Sequence, residues 1–296
     1  MLDHLRGVIP PATTPFTRDG DVDLKGMKDQ VDWLIGQGVH GIAVGGSTGE
    51  GHTIDVDEFR AIVDSTLDAT CDRVPVIAGI IVDSTRDAVR RGKAISDLGV
   101  AALQVTPVHY LFRPDDDAMK QHFGMIGEIL EHPIIIYNVV PWSYLSPELL
   151  CEIMDSVPGV VGVKQSAGDL TLFAELMLMA NPEHLLFCAV DPLMYSAYTL
   201  GARGSIAAIL TAAPKASVEL WDAVQAGDHS RALDIHRKLL KLWNALEGAN
   251  LPACTKYAQT LQGCPGGYPR APMPEASKGQ KRDIEESLML LGALDR

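Results

Sequence analysis

Short apolar runs alternate with amphipathic stretches along most of the chain. The runs span Gly7–Thr13, Gly41–Val44, Val74–Ile80, Ala101–Thr106, Pro133–Val139, Val160–Lys164, Leu185–Val190 and Gly204–Ala208, eight in all. Runs of this length bounded by turn signals predict buried strands. Between them the apolar period changes to that of a helix: in Leu24–Gln37, Met27, Val31, Leu34 and Ile35 fall on one face. Start signals agree with this division. Asp55 stands three residues before Glu58, and Ser84 three before Asp87, as in capping boxes or their acidic variants. Ser146-Pro147 offers an N-cap followed by proline at the first helical position. Asp115-Asp116-Asp117 suits the positive end of a helix dipole.

Strands alternating with helices imply a parallel sheet, and eight such units imply a closed (β/α)8 barrel of the TIM type. An open doubly wound sheet would want a GxGxxG turn after its first strand. Here Pro10-Pro11-Ala12-Thr13-Thr14-Pro15 follows instead. Residues 1–225 therefore read as the barrel, and residues 226–296 as an appended helical subdomain, with helices over Ser230–Leu246 and Asp283–Leu291. Pro265–Pro274, rich in glycine and proline, is expected to be a surface loop.

Composition narrows the function. The 296 residues carry 25 Lys and Arg against 38 Asp and Glu, a net charge of −13. Such a surface repels phosphate backbones and anionic membranes, so neither nucleic acid nor a membrane is an expected partner. No apolar stretch reaches the ~18 residues of a membrane span; residues 185–201 come nearest, interrupted by Asp191-Pro192. The five cysteines are odd in number and lack CxxC spacing, and Met1–Arg6 lacks the apolar core of a signal peptide, so a reduced, cytoplasmic protein is expected. The nine histidines show no HExxH or similar spacing, so no metal is expected.

In a (β/α)8 barrel the active site lies at the carboxyl ends of the strands. The residues there are Gly45-Gly46-Ser47-Thr48-Gly49-Glu50 after the second run and Thr106-Pro107-Val108-His109-Tyr110 after the fourth. The fifth run ends in Tyr137-Asn138 and the sixth in Lys164-Gln165-Ser166, the seventh ends near Asp191, and the eighth holds Gly204-Ser205. Lys164 carries the most information. A lysine at the end of an apolar run is either a solvated strand tip or a buried amine. Burial disfavours the ammonium and leaves a nucleophile able to attack a ketone. A tyrosine such as Tyr137 is either a core residue or a group that moves protons at the resulting carbinolamine. The glycine-rich turn is either a tight connection or a carboxylate cradle of backbone N–H groups and two hydroxyls. No Lys-Ser/Thr follows it, against a P-loop. Lysine, tyrosine and turn facing one cavity suit imine chemistry on a ketone.

Gly-Gly-Ser-Thr-Gly-Glu, Tyr-Asn and Gly-Val-Lys-Gln-Ser-x-Gly-Asp-Leu at these positions resemble the dihydrodipicolinate synthase / N-acetylneuraminate lyase family over essentially the whole chain. That resemblance implies a barrel, usually a homotetramer, that forms a Schiff base with pyruvate or a related 2-oxo acid and needs no metal or organic cofactor. It implies Lys164 as the Schiff-base lysine and Tyr137 as the proton shuttle. Ser47 and Thr48 would hold the 2-oxo acid carboxylate, Thr48 also lying near the tyrosine hydroxyl. Gly46, Ser166, Asp191, Ser205, His109 and Tyr110 complete the expected substrate site. The family's second tyrosine, lent across a subunit interface, falls at His109 or Tyr110. The synthases' arginine after Tyr-Asn is missing from Val139-Val140-Pro141-Trp142-Ser143-Tyr144, and Ala189 stands where members often have glycine. These departures point away from aspartate semialdehyde, while Gly45–Glu50 and Lys164–Leu170 resemble the neuraminate lyase branch more closely, with an aldehyde as second partner; Trp142 and Tyr144 suggest a bulkier, more aromatic wall. A 2-keto-3-deoxy sugar acid dehydratase or aldolase shares the same early steps. Two further readings remain: a non-catalytic keto-acid sensor, and a phosphate-binding barrel isomerase using Gly201-Ala202-Arg203-Gly204-Ser205.

Overall fold

The computed structural model describes residues 2–294. Among them, eight strands form one parallel sheet: β1 Gly7–Val8, β2 Ile42–Val44, β3 Val76–Ile80, β4 Ala102–Val105, β5 Ile134–Asn138, β6 Val160–Gln165, β7 Leu185–Cys188 and β8 Gly204–Ser205. From β2 to β8 each strand pairs with the next in sequence, and β8 pairs with β1. The ring closes between β1 and β2, where the Ala12 amide donates to the Ala43 carbonyl at 2.8 Å and the Ala43 amide to the Pro10 carbonyl at 3.0 Å. The fold is the expected (β/α)8 barrel. Regular pairing in β1 stops at Val8, short of the expected Thr13, because Pro10 and Pro11 have no N–H to give a ladder.

The barrel helices are α1 Leu24–Gly36, α2 Val56–Thr70, α3 Thr85–Ala94, α4 Asp116–Leu130, α5 Pro147–Ser156, α6 Leu170–Met179, α7 Met194–Thr199, α8 Ile209–Ala212 and α9 Pro214–Gln225. Asp55 and Glu58 form a reciprocal capping box on α2. Ser84, Asp115 and Ser146 cap α3, α4 and α5 through their side-chain oxygens. Each such cap stabilises by about 1 kcal/mol. Three more helices follow, α10 His229–Leu246, α11 Leu251–Leu261 and α12 Lys278–Leu291.

Two apolar layers hold these elements. Ile9, Ala43, Ile77, Ala102, Ile135, Phe187 and Ile206 fill the inside of the ring. A larger layer lies between sheet and helices, and it runs on without a break into Leu239, Leu242 and Leu246 of α10 and Ile284 and Leu288 of α12. The C-terminal helices are thus packed into the barrel's own outer core. Pro265–Pro274 is the expected surface loop, and it is also pinned. The Arg270 amide donates to Glu50 Oε2 at 2.9 Å, and its guanidinium Nη1 donates to Glu58 Oε2 at 2.9 Å and to the Thr53 carbonyl at 2.7 Å. Beneath it the Lys256 ammonium, on α11, donates to Glu50 Oε1 at 2.6 Å and to the Tyr268 carbonyl at 2.7 Å. A proline- and glycine-rich stretch has no periodicity that would announce these contacts.

Candidate active site

Sheet register brings the central pair together. Tyr137 on β5 is the direct partner of Lys164 on β6, so both side chains leave the sheet on the same face. That face is the barrel interior. Lys164 is 3% exposed, and its Nζ lies 3.7 Å from the centre of the Tyr137 ring. Burial lowers its pKa from the ordinary lysine range to about 7, with the negative charge of Asp191 pulling it partly back up. The amine is therefore substantially neutral near pH 7. Burial also pushes the Tyr137 phenol up to about 12, so it keeps its proton at neutral pH. The Tyr137 hydroxyl donates to Ser47 Oγ at 3.2 Å. The resemblance had placed Thr48 near this hydroxyl; Ser47 holds the hydrogen bond.

The turn after β2 needs its glycines. Gly45 has φ +70°, and a Cβ on Gly51 would fall 2.0 Å from the Gly45 carbonyl oxygen. The Glu50 amide donates to the Ser47 carbonyl and the Gly51 amide to that of Gly46, both at 3.0 Å. Thr14 Oγ1 braces the turn from the β1 side by donating to the Gly49 carbonyl at 2.7 Å. Buried Glu50, held by Lys256, anchors its far end.

A cavity of about 520 Å³ opens above these groups. Of the residues singled out from the sequence, Lys164, Tyr137, Ser47, Thr48, Ser166 and Asp191 line it. Asp191 is 7% exposed, and its Oδ1 accepts from the Ile209 amide at 2.7 Å. Burial raises its pKa to about 7. The Ser166 hydroxyl oxygen is buried and has no hydrogen-bond partner among the described residues.

Four expected residues stand outside the cavity lining. Gly46 braces the turn through its carbonyl. Ser205 Oγ is engaged by the Tyr198 hydroxyl on α7, on the other side of the sheet, so it offers no free hydroxyl to a phosphate or a substrate. His109 turns toward Asp83. Its Nδ1 lies 3.0 Å from the Pro107 carbonyl and 3.3 Å from Asp83 Oδ1. The same carboxylate oxygen accepts from the amides of His109 at 3.1 Å and Tyr110 at 2.8 Å. The Tyr110 side chain is 66% exposed.

Trp243 and Glu247 are among the lining residues that the sequence did not mark. They sit on the last turn and C-cap of α10 and reach the mouth only through its packing on the barrel. Their spacing is that of any amphipathic helix, so no local signal marks them.

Barrel and site together define a lyase of the lysine Schiff-base class. The family model of the dihydrodipicolinate synthetase family matches residues 4–290. The chain is 33% identical over 294 residues to 4-hydroxy-tetrahydrodipicolinate synthase of Methanopyrus kandleri, covering 98% of each chain. Dihydrodipicolinate synthase from Thermotoga maritima superposes with a TM-score of 0.92 at 28% identity, over 98% of this chain and 99% of that one. A prophage protein of the dihydrodipicolinic acid synthase family from E. coli K12, solved in complex with pyruvate, gives 0.92 at 25% identity over 98% and 99%. The chain belongs to the dihydrodipicolinate synthetase family.

Proposed function

We propose that the protein is a class I aldolase-type lyase that forms an imine between Lys164 and pyruvate or a related 2-oxo acid, and that its second substrate is an aldehyde other than aspartate semialdehyde. The observation that carries the reading is the Lys164 amine, buried, with its pKa lowered to about 7 and set against the Tyr137 ring. Its lone pair attacks the C2 ketone, forming the N–C2 bond. Tyr137, protonated at neutral pH, donates to the carbinolamine oxygen, which departs as water. Ser47 passes the proton back from the cavity. The Ser47-Thr48 turn takes the 2-oxo acid carboxylate. The cationic iminium then accepts the electron pair of the C3–C4 bond while the C4 hydroxyl gives its proton to the Tyr137–Ser47 relay, releasing an aldehyde and leaving an enamine; in reverse the relay returns that proton to the new hydroxyl as the enamine adds to the aldehyde. The chemistry runs on the lysine imine and calls on no organic cofactor.

The free Ser166 hydroxyl oxygen favours a hydroxylated acceptor, since a buried polar group left unpaired is costly. The segment from Val139 to Tyr144 supplies no arginine for a second carboxylate, and the exposed Trp142 donates its indole N–H to the His109 carbonyl at 2.7 Å. The missing arginine favours the neuraminate lyase branch or a 2-keto-3-deoxy sugar acid over aspartate semialdehyde, and Trp142 gives that wall an aromatic character. A homotetramer in the reducing cytoplasm completes the proposal. Exposed Tyr110, Leu111, Phe112 and Trp142 support burial against another copy, and five free cysteines support the compartment. No helix among the described residues is long and apolar enough to cross a membrane.

The test is a panel of 2-oxo acids, alone and with neutral hydroxyaldehydes or aspartate semialdehyde, followed by product analysis. Turnover with hydroxyaldehydes is expected, slowed by roughly 10²–10⁴ in Tyr137→Phe. Turnover confined to aspartate semialdehyde would overturn the acceptor assignment, and a near-normal Tyr137→Phe rate would remove Tyr137 from proton transfer.

A further inference from the structure

Glu247 is used by none of the steps above, yet it lines the cavity. It is the C-cap of α10, its amide donating to the Trp243 carbonyl at 2.8 Å. The helix therefore presents its C-terminal end to the mouth, where unpaired carbonyls carry partial negative charge. No basic side chain occupies the last turn to offset them. Among the described residues, the only cationic one lining the cavity is Lys164, and the anionic ones are Asp191 and Glu247. Glu247 is near enough for its charge to oppose ionisation of Asp191. Trp243, Leu193, Leu251 and Pro252 supply an apolar wall beside it.

These groups divide the cavity by charge. The floor holds Lys164 and the Ser47-Thr48 turn. The mouth holds a carboxylate, a helix C-terminus and an indole. Once a 2-oxo acid is fixed on Lys164, its iminium cation is balanced by its own carboxylate, and Asp191 adds negative charge beside it. An incoming aldehyde then meets Glu247 and the carbonyl end of α10, with no basic side chain in that last turn to offset them.

We propose that Glu247, with the C-terminal end of α10, is a specificity-determining charge filter that admits uncharged aldehydes with an apolar or hydroxylated tail and turns away those ending in a carboxylate. The inference rests on the imine reading above and adds the charge class of the acceptor and the residue that sets it. Because Glu247 is exposed, the filter acts through a screened field and weakens as salt rises.

The test compares kcat/KM for butanal and succinic semialdehyde, acceptors of equal chain length that differ in a terminal carboxylate, with pyruvate as donor. The unmodified enzyme is expected to prefer butanal, by a ratio that shrinks with added salt. Glu247→Gln should narrow the ratio by about 3-fold and Glu247→Arg by about tenfold, one and two charge units at a partly solvated site. An exposed C-cap tolerates these changes, and the neutral variant carries the test should Glu247→Arg fold poorly. A ratio in both variants within about twofold of the unmodified enzyme, or a preference for succinic semialdehyde from the start, overturns the filter. Failure of borohydride to trap pyruvate on the unmodified enzyme would instead overturn the imine reading, and the filter with it.

Discussion

At the residue scale the site turns on two buried groups whose charges oppose each other. Lys164 is driven down to about 7 and Asp191 up to about 7, both chiefly by burial. Each favours the charged form of the other, and the lysine value is where the two effects balance. The nucleophile is the neutral amine, so its fraction grows as pH rises through about 7. Asp191 pulls that pKa upward. Removing its charge should therefore let the amine lose its proton at lower pH. Asp191→Asn is expected to shift the midpoint of the imine-formation profile to lower pH, read from the initial rate of pyruvate trapping between pH 5 and pH 9. A midpoint unchanged or moved upward would mean that Asp191 does not set the charge of Lys164. Tyr137 needs no such tuning, because a phenol near 12 stays a donor across this whole range.

At the element scale the turn after β2 is positioned from the far end of the chain. Glu50, fully buried, is bonded by Lys256 from α11 and by the Arg270 amide from the connecting strap. The Lys256 ammonium also lies 4.6 Å from the centre of the Phe16 ring. Taking one member from a buried pair leaves an unpaired charge, which destabilises by about 3–5 kcal/mol. Lys256→Met is expected to lower stability by about this amount in urea unfolding. Adding Glu50→Gln should recover much of it, because the stranded charge is then gone. A loss below about 1 kcal/mol in the single variant would show that the pair is not the anchor proposed. The same logic gives the C-terminal helices a function beyond packing: α11 steadies the turn that carries Ser47 and Thr48, while α10 shapes the mouth.

At the scale of the whole molecule, what was legible in the sequence follows from how local each signal is. Strand and helix order was readable because both periods are written within each segment, as in Met27, Val31 and Leu34 on α1. Lys164 was readable because an ammonium interrupts an apolar run, and Tyr137 because it ends the neighbouring one. Strand ends were overshot where the apolar character outlasts the ladder, as at Pro10-Pro11 and again after Ser205, where Ile206-Ala207-Ala208 leads into α8. His109 and Tyr110 were placed on the correct loop, but their direction is set by Asp83, remote in sequence. Ser205 was placed on the correct strand, but a one-residue step flips a side chain to the other face, and its hydroxyl meets Tyr198 instead of the cavity. Trp243 and Glu247 could be read only once α10 was seen returning to the barrel mouth.

The whole account depends on a single covalent bond between the Lys164 nitrogen and C2 of a 2-oxo acid. The most direct measurement is incubation with pyruvate and borohydride at pH 7–8, followed by intact mass and peptide mapping. The account predicts one reduced pyruvyl group per chain, carried on the peptide containing Lys164 and lost in Lys164→Ala. A folded protein that gains no such mass, or gains it on another lysine, would contradict it.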